Sequence, residues 1–165
     1  MKQKYDPESA RIKRGYLDHM FLEEKYKYKT NNSFLDFEFE SNGHKGVIKK
    51  VGRFTEIAVN VYNFGFGDLD EESGEINDTI VSNNGDADKV LITIASIILD
   101  FTSANSGAAV IIQGTTPSRT RRYQMGINKY WPLISAAFEV FGLKGEKWEL
   151  FQPGENYEAL IGHRK

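Results

Sequence analysis

Residues 34–40 read FLDFEFE. Leu35, Phe37 and Phe39 alternate with Asp36, Glu38 and Glu40. That period of two belongs to a strand with one buried and one wetted face. SNGHKG follows, and its glycines supply the positive φ of a tight hairpin turn. GVIKKVGRF is then the partner strand, and TEIAVNVYNFGF is the next. In the latter the apolar phase is odd through Ile57, Val59 and Val61, then even through Tyr62, Phe64 and Phe66. Side chains cannot change faces in a regular strand, so a bulge or bend is expected near Asn60–Asn63. The acidic turn DLDEESG leads to a fourth strand, EINDTIVS. The reading is a four-strand antiparallel meander.

Downstream the period changes. NNGDADK is a helix-start signature, with Asp86 as a cap and Asp88 near the positive helix end. Val90, Ile94, Ile97, Ile98 and Phe101 then recur on one helical face, and Leu91 and Ile92 widen it. AAVIIQ is a short buried strand. TTPS opens a second helix, with Thr116 as cap and Pro117 in the first turn. Pro132 predicts a break near Tyr130–Trp131. FEVFGL, KWELF and NYEALIGH finish as short strands. The fold class is α+β: a mainly antiparallel twisted sheet, the meander and then further strands, with two main helices on one face. Residues 31–165 form one domain, and residues 1–30, rich in Lys, Tyr and Glu, form a loosely attached segment.

Composition narrows the setting. The chain has 165 residues, 40% hydrophobic and 27% charged, with a formal charge of −2. Net charge therefore implies no partner, and any nucleic-acid footprint must be a local patch. Without cysteine there are no disulfides, thiol nucleophiles or Cys-ligated zinc, and a cytoplasmic location is expected. No apolar run approaches membrane-spanning length, and the mixed-charge N-terminus does not read as a secretory signal, so no membrane association is expected.

Chemistry concentrates in IIQGTTPSRTRRYQMGI, residues 111–127. No acidic residue occurs between Asp100 and Glu139. Helical phase separates the arginines: Arg119 lies at the edge of the apolar face, Arg122 and Lys129 beyond that edge, and Arg121 opposite the core. Arg119, the first-turn N–H groups and the hydroxyls of Thr115, Thr116 and Ser118 together suit a phosphate or carboxylate. The alternative is a structural ion pair between Arg119 and the acidic DLDEESGE turn.

A second basic surface is His44, Lys45, Lys49, Lys50 and Arg53, with Phe54, Tyr62, Phe64 and Phe66 nearby. Lys49 and Lys50 fall on opposite faces of their strand. Interleaved bases and aromatics can hold single-stranded nucleic acid, although aromatics this numerous mainly fill core. Asp68, Asp70, Glu71, Glu72 and Glu75 read as a solvated hairpin, because the spacing of a calcium loop is not kept. His19, His44 and His163 lie far apart and form no metal motif. Neither a catalytic residue, a metal site nor a cofactor is assigned.

FEFESNGHKGVIKK, VYNFGFGD, SNNGDADKVL and GTTPSRTRRYQMGI together resemble a family of compact bacterial α+β proteins carried under a domain-of-unknown-function label. The resemblance spans about residues 26–165 and implies a small cytoplasmic α+β protein, with no activity to transfer. Residues 34–101 also resemble, in topology alone, the repeat of purine-rich-element-binding proteins, which hold single-stranded nucleic acid.

The expected function is non-enzymatic binding of an anionic ligand, nucleic acid foremost, at the helix start of residues 115–122. Two alternatives remain. One is a group transferase holding a phosphorylated cofactor beside Gly114, with Asp86 or Tyr123 in reach. The other is an antitoxin-like interaction module with an aromatic patch at Trp148, Phe151 and Tyr157, as a homodimer or with another protein partner.

Overall fold

The computed structural model describes residues 24–77 and 83–165. The alternating stretch becomes β2 (Asp36–Gly43), which pairs antiparallel with β3 (Gly46–Ala58) through a hairpin closed by Gly43 opposite Gly46. Phe37, Phe39 and Ser41 of β2 are buried, as period two requires. The segment preceding β2 supplies β1 (Tyr28–Thr30), paired antiparallel with β2. Residues 28–30 therefore join the sheet, although they belong to the segment expected to be loosely attached. Residues 1–23 lie outside the described residues.

The phase change is a hairpin. β3 continues through Ala58, and β4 (Val61–Leu69) returns after a tight turn at Val59 and Asn60. Asn60 sits at φ 58°, a left-handed conformation that asparagine adopts more readily than most residues. A register irregularity between Glu56 and Ala58 lies just before the turn. The expected bulge at Asn60–Asn63 is thus replaced by a chain reversal, which re-sets the phase more completely. Of the fourth strand, β5 (Ile76–Asn77) is described, paired with the end of β4. Residues 78–82 lie outside the described residues.

α1 (Ala87–Ala104) then carries the chain back across the sheet to β6 (Ala109–Ile112). β6 lies parallel to β4, a pairing that needs such a crossover. α2 (Pro117–Lys129) and α3 (Trp131–Ala137) meet at Tyr130, where the proline at the start of α3 ends the first helix, as its position predicts. β7 (Phe138–Lys144), β8 (Lys147–Leu150) and β9 (Ala159–Arg164) complete the chain. Among the described residues, one nine-stranded sheet runs β1-β2-β3-β4-β6-β9-β7-β8, with β5 beside β4. The fold is α+β and mostly antiparallel, with more strands than a four-strand meander, one parallel pair and a third, short helix.

Two cores share one face of the sheet. Under α1, Phe37, Phe54 and Phe64 pack on Ile97 and Phe101. The rings of Phe54 and Phe101 stack 3.7 Å apart. Under α2 and α3, Phe138, Val140 and Leu160 pack with Ile127, Trp131 and Ile134. The seam between these cores positions the candidate site.

Candidate functional site

The seam opens as a cleft of about 570 Å³. Its walls are α2, through Arg119, Arg122 and Lys129, and the loop of residues 83–86 with the start of α1; Lys50, Phe66 and Asp68 lie on the sheet beneath. Arg119 and Arg122 share a side of α2 because residues three apart are neighbours on a helix. Arg121 points elsewhere, and its guanidinium donates to Asn156 Oδ1 at 3.4 Å. Helical phase places Arg121 opposite the core; Arg122, set beyond the edge of the apolar face, is exposed yet lines the cleft with Arg119.

Thr115, Thr116 and Ser118 are exposed and do not line the cleft. Thr116 acts as the N-cap of α2, its hydroxyl accepting from the Arg119 backbone N–H at 3.3 Å. The Gly114 N–H donates to Thr120 Oγ1 at 3.0 Å. A Cβ on Gly114 would meet Arg119 Cβ at 2.4 Å, so the loop is folded tightly onto the first turn. Gly114 is not part of the cleft wall. The cleft therefore uses the flank of α2, whereas the sequence reading used its tip.

The charges in the cleft are mixed. Lys50, Arg119, Arg122 and Lys129 face Asp68, Asp86 and Asp88. Each carboxylate has a partner. Asp68 pairs with Lys50, which is only 4% exposed, and Asp88 with Lys129 at 2.7 Å. Asp86 accepts from Ser41 Oγ and from the Tyr26 hydroxyl at 2.7 Å. Burial opposes its ionisation, but these hydrogen bonds, its own backbone N–H and the Lys50 charge together outweigh burial and hold the carboxyl below its usual range. Among the described residues, the Arg119 and Arg122 side chains make no ion pair or hydrogen bond. The DLDEESGE turn does not engage Arg119. Its carboxylates turn to β3: Glu71 pairs with Lys49, and Glu75 lies 3.7 Å from Arg53.

The second basic surface is accordingly neutralised in large part. Arg53 also makes a two-pronged pair with Asp36, at 2.8 and 3.2 Å. Lys49 and Lys50 lie on opposite faces, as their spacing requires, and do not act together. His44 and Lys45 form the exposed β2–β3 turn, which Asn84 clamps. The neighbouring aromatics are core: Phe54 and Phe64 are buried, Tyr62 meets Phe101 edge-on, and Phe66 stacks on Phe39. Phe151 and Tyr157 are buried as well, so the aromatic patch reduces to Trp148, exposed beside Leu150 on the edge strand β8.

In the NNGDADK stretch the sequence marks a helix start, but not the contacts that its residues make. Asn84 is 3% exposed, donates to Ser41 Oγ and the Gly46 carbonyl, and accepts from the Lys45 N–H at 2.8 Å. Asp86 does not cap α1 through its side chain; it ties that helix to β2 and to Tyr26. Such clamps between distant segments leave no periodic signal. A run of Asn, Gly and Asp before a helix reads equally well as an ordinary cap.

The model of the family described as Family of unknown function (DUF6934) matches residues 22–165, and the chain belongs to that family. Neither a curated protein nor a solved structure matches it. No helix among the described residues is long and apolar enough to cross a membrane.

Proposed function

We propose that the protein binds a small anionic ligand, bearing phosphate or carboxylate, in the cleft between α2 and the start of α1. Arg119 and Arg122 are the ligating side chains. One observation carries the reading: among the described residues, every carboxylate lining the cleft is engaged by another group, while these two guanidiniums are not. A guanidinium offers a planar fork of donors that matches either anion. Lys129, paired with Asp88, adds field more than contact. Nucleic acid is the less favoured ligand, because the lysines and arginine of β3 are consumed by ion pairs and the aromatics beside them are core.

Titration with inorganic phosphate, followed by calorimetry or by amide chemical shifts, tests this. Arg119→Ala and Arg122→Ala should each weaken binding by about tenfold or more and flatten its salt dependence, charge-assisted hydrogen bonds being worth roughly 1.5–3 kcal/mol. Arg121→Ala should leave both unchanged. Equal affinities across the three variants would refute the assignment.

A further inference from the structure

The cleft has a second compartment. Behind it, between α1, α2, α3 and the sheet, lies an apolar chamber of about 160 Å³. Leu91, Ile94, Tyr123 and Gly126 line both spaces, so the charged mouth and the apolar chamber share a wall. Deeper in, the lining is Ala95, Ile98, Ile112, Ile127, Leu133 and Ile134. At the far end the Arg164 guanidinium is occupied, donating to the Leu99 carbonyl at 3.2 Å and to Ser103 Oγ at 2.6 Å.

Helix composition explains why the seam stays open. The fully buried positions of α2 are Thr120, Gln124 and Gly126, none with a large apolar side chain. Gln124 is turned to the loop before β9, donating to the Glu155 carbonyl and accepting from the Tyr157 N–H. α3 has no fully buried residue. Close-packed interiors leave few voids larger than a water molecule. An apolar cavity of roughly 150 Å³ is enough to take up benzene. The chamber is thus the size of one aromatic ring, with two guanidiniums at its mouth that no described residue pairs.

We propose that the ligand is an amphiphile: a small anion carrying one ring-sized apolar group, with the charge held at Arg119 and Arg122 and the ring passing Leu91 and Gly126 into the chamber. This rests on the anion-binding reading of the cleft and adds the chemistry of the ligand's other half. Gly126 is the gatepost. A Cβ there would sit 3.1 Å from Leu91 Cδ2, so glycine leaves the passage as wide as the two helices allow.

The test compares inorganic phosphate, methyl phosphate and phenyl phosphate on the intact protein by calorimetry. Burying the ring should make phenyl phosphate about 10- to 100-fold tighter than methyl phosphate. Ala95→Leu, which fills the chamber, should abolish that advantage and leave inorganic phosphate affinity unchanged. Ile98→Phe serves the same purpose if the first variant does not fold. The wild-type comparison decides without either variant: phenyl and methyl phosphate binding equally would overturn the amphiphile while leaving the anion site standing. So would a ring advantage that survives filling of the chamber in a folded variant. If no phosphate binds, or Arg119→Ala changes nothing, the cleft assignment falls and this inference with it.

Discussion

The carboxylate of Asp86 accepts a hydrogen bond from the hydroxyl of Ser41 at 2.5 Å, joining residues 45 positions apart. Ser41 is fully buried on β2, and Asp86 stands at the start of α1. Asn84 reaches the same hydroxyl, and Tyr26 the same carboxylate. A short polar loop thereby fixes the first helix to the first hairpin and sets one wall of the cleft.

Asp86→Asn should cost about 1–3 kcal/mol in urea unfolding, because it weakens hydrogen bonds to a charged acceptor. The folded carboxyl titrates below its unfolded value near 4, so its stabilisation is present above that pH. It is lost as the pH falls through the folded value. The variant should therefore lose less stability than the wild type on acidification. It should also bind phosphate more tightly, since a negative charge leaves the cleft.

Asp88→Asn isolates the electrostatic part. Asp88 and Lys129 are both more than half exposed, at 65% and 52%, so solvent screens their pair and it adds little to stability. Removing the carboxylate should leave the thermal midpoint almost unchanged while strengthening phosphate binding up to about fivefold at low salt. The gain should vanish at high salt. A gain independent of salt would mean that Asp88 acts by some route other than its charge.

Gln124→Ala should destabilise by about 1–3 kcal/mol, although a helix favours alanine. The side chain satisfies the Glu155 carbonyl and the Tyr157 N–H together. Hydrogen exchange at the Tyr157 amide should quicken beyond what the global change explains. Uniform quickening through the sheet would show that the loop and core open as one.

Gly142→Ala tests the second core. A Cβ at Gly142 would approach the Tyr157 ring to 2.2 Å, and that ring is wedged against Phe151 and held by hydrogen bonds at its hydroxyl. The methyl cannot be absorbed without moving the ring, so the cost should be about 1–3 kcal/mol. A thermal midpoint equal to the wild type's would show that the loop yields freely.

Periodic features were legible in advance. FLDFEFE announced β2, the stripe from Val90 to Phe101 announced α1, and Pro132 announced the break at Tyr130. Helical phase set Arg121 opposite the core but gave no sign that Arg122, beyond the edge of the apolar face, would share the cleft with Arg119. Less legible was anything decided by pairing across distance. The odd-to-even switch around residue 60 is written identically by a bulge and by a two-residue hairpin, and tertiary pairing chose the latter. That Lys49, Lys50 and Arg53 meet Glu71, Asp68 and Asp36 depends on register, which no local run of charge reveals. The threonines and serine of the α2 tip looked like ligands because capping and anion binding call for the same residue types.

β9 follows every other strand in the chain, yet it lies inside the sheet, between β6 and β7. During synthesis, the first core can assemble as soon as β6 settles beside β4. The second half then waits. Until residues 159–164 emerge, both β6 and β7 present bare hydrogen-bonding edges. Of the strands in this sheet the one made last is the keystone between two half-sheets, and the nascent domain is most exposed to mispairing with its neighbours until that strand arrives.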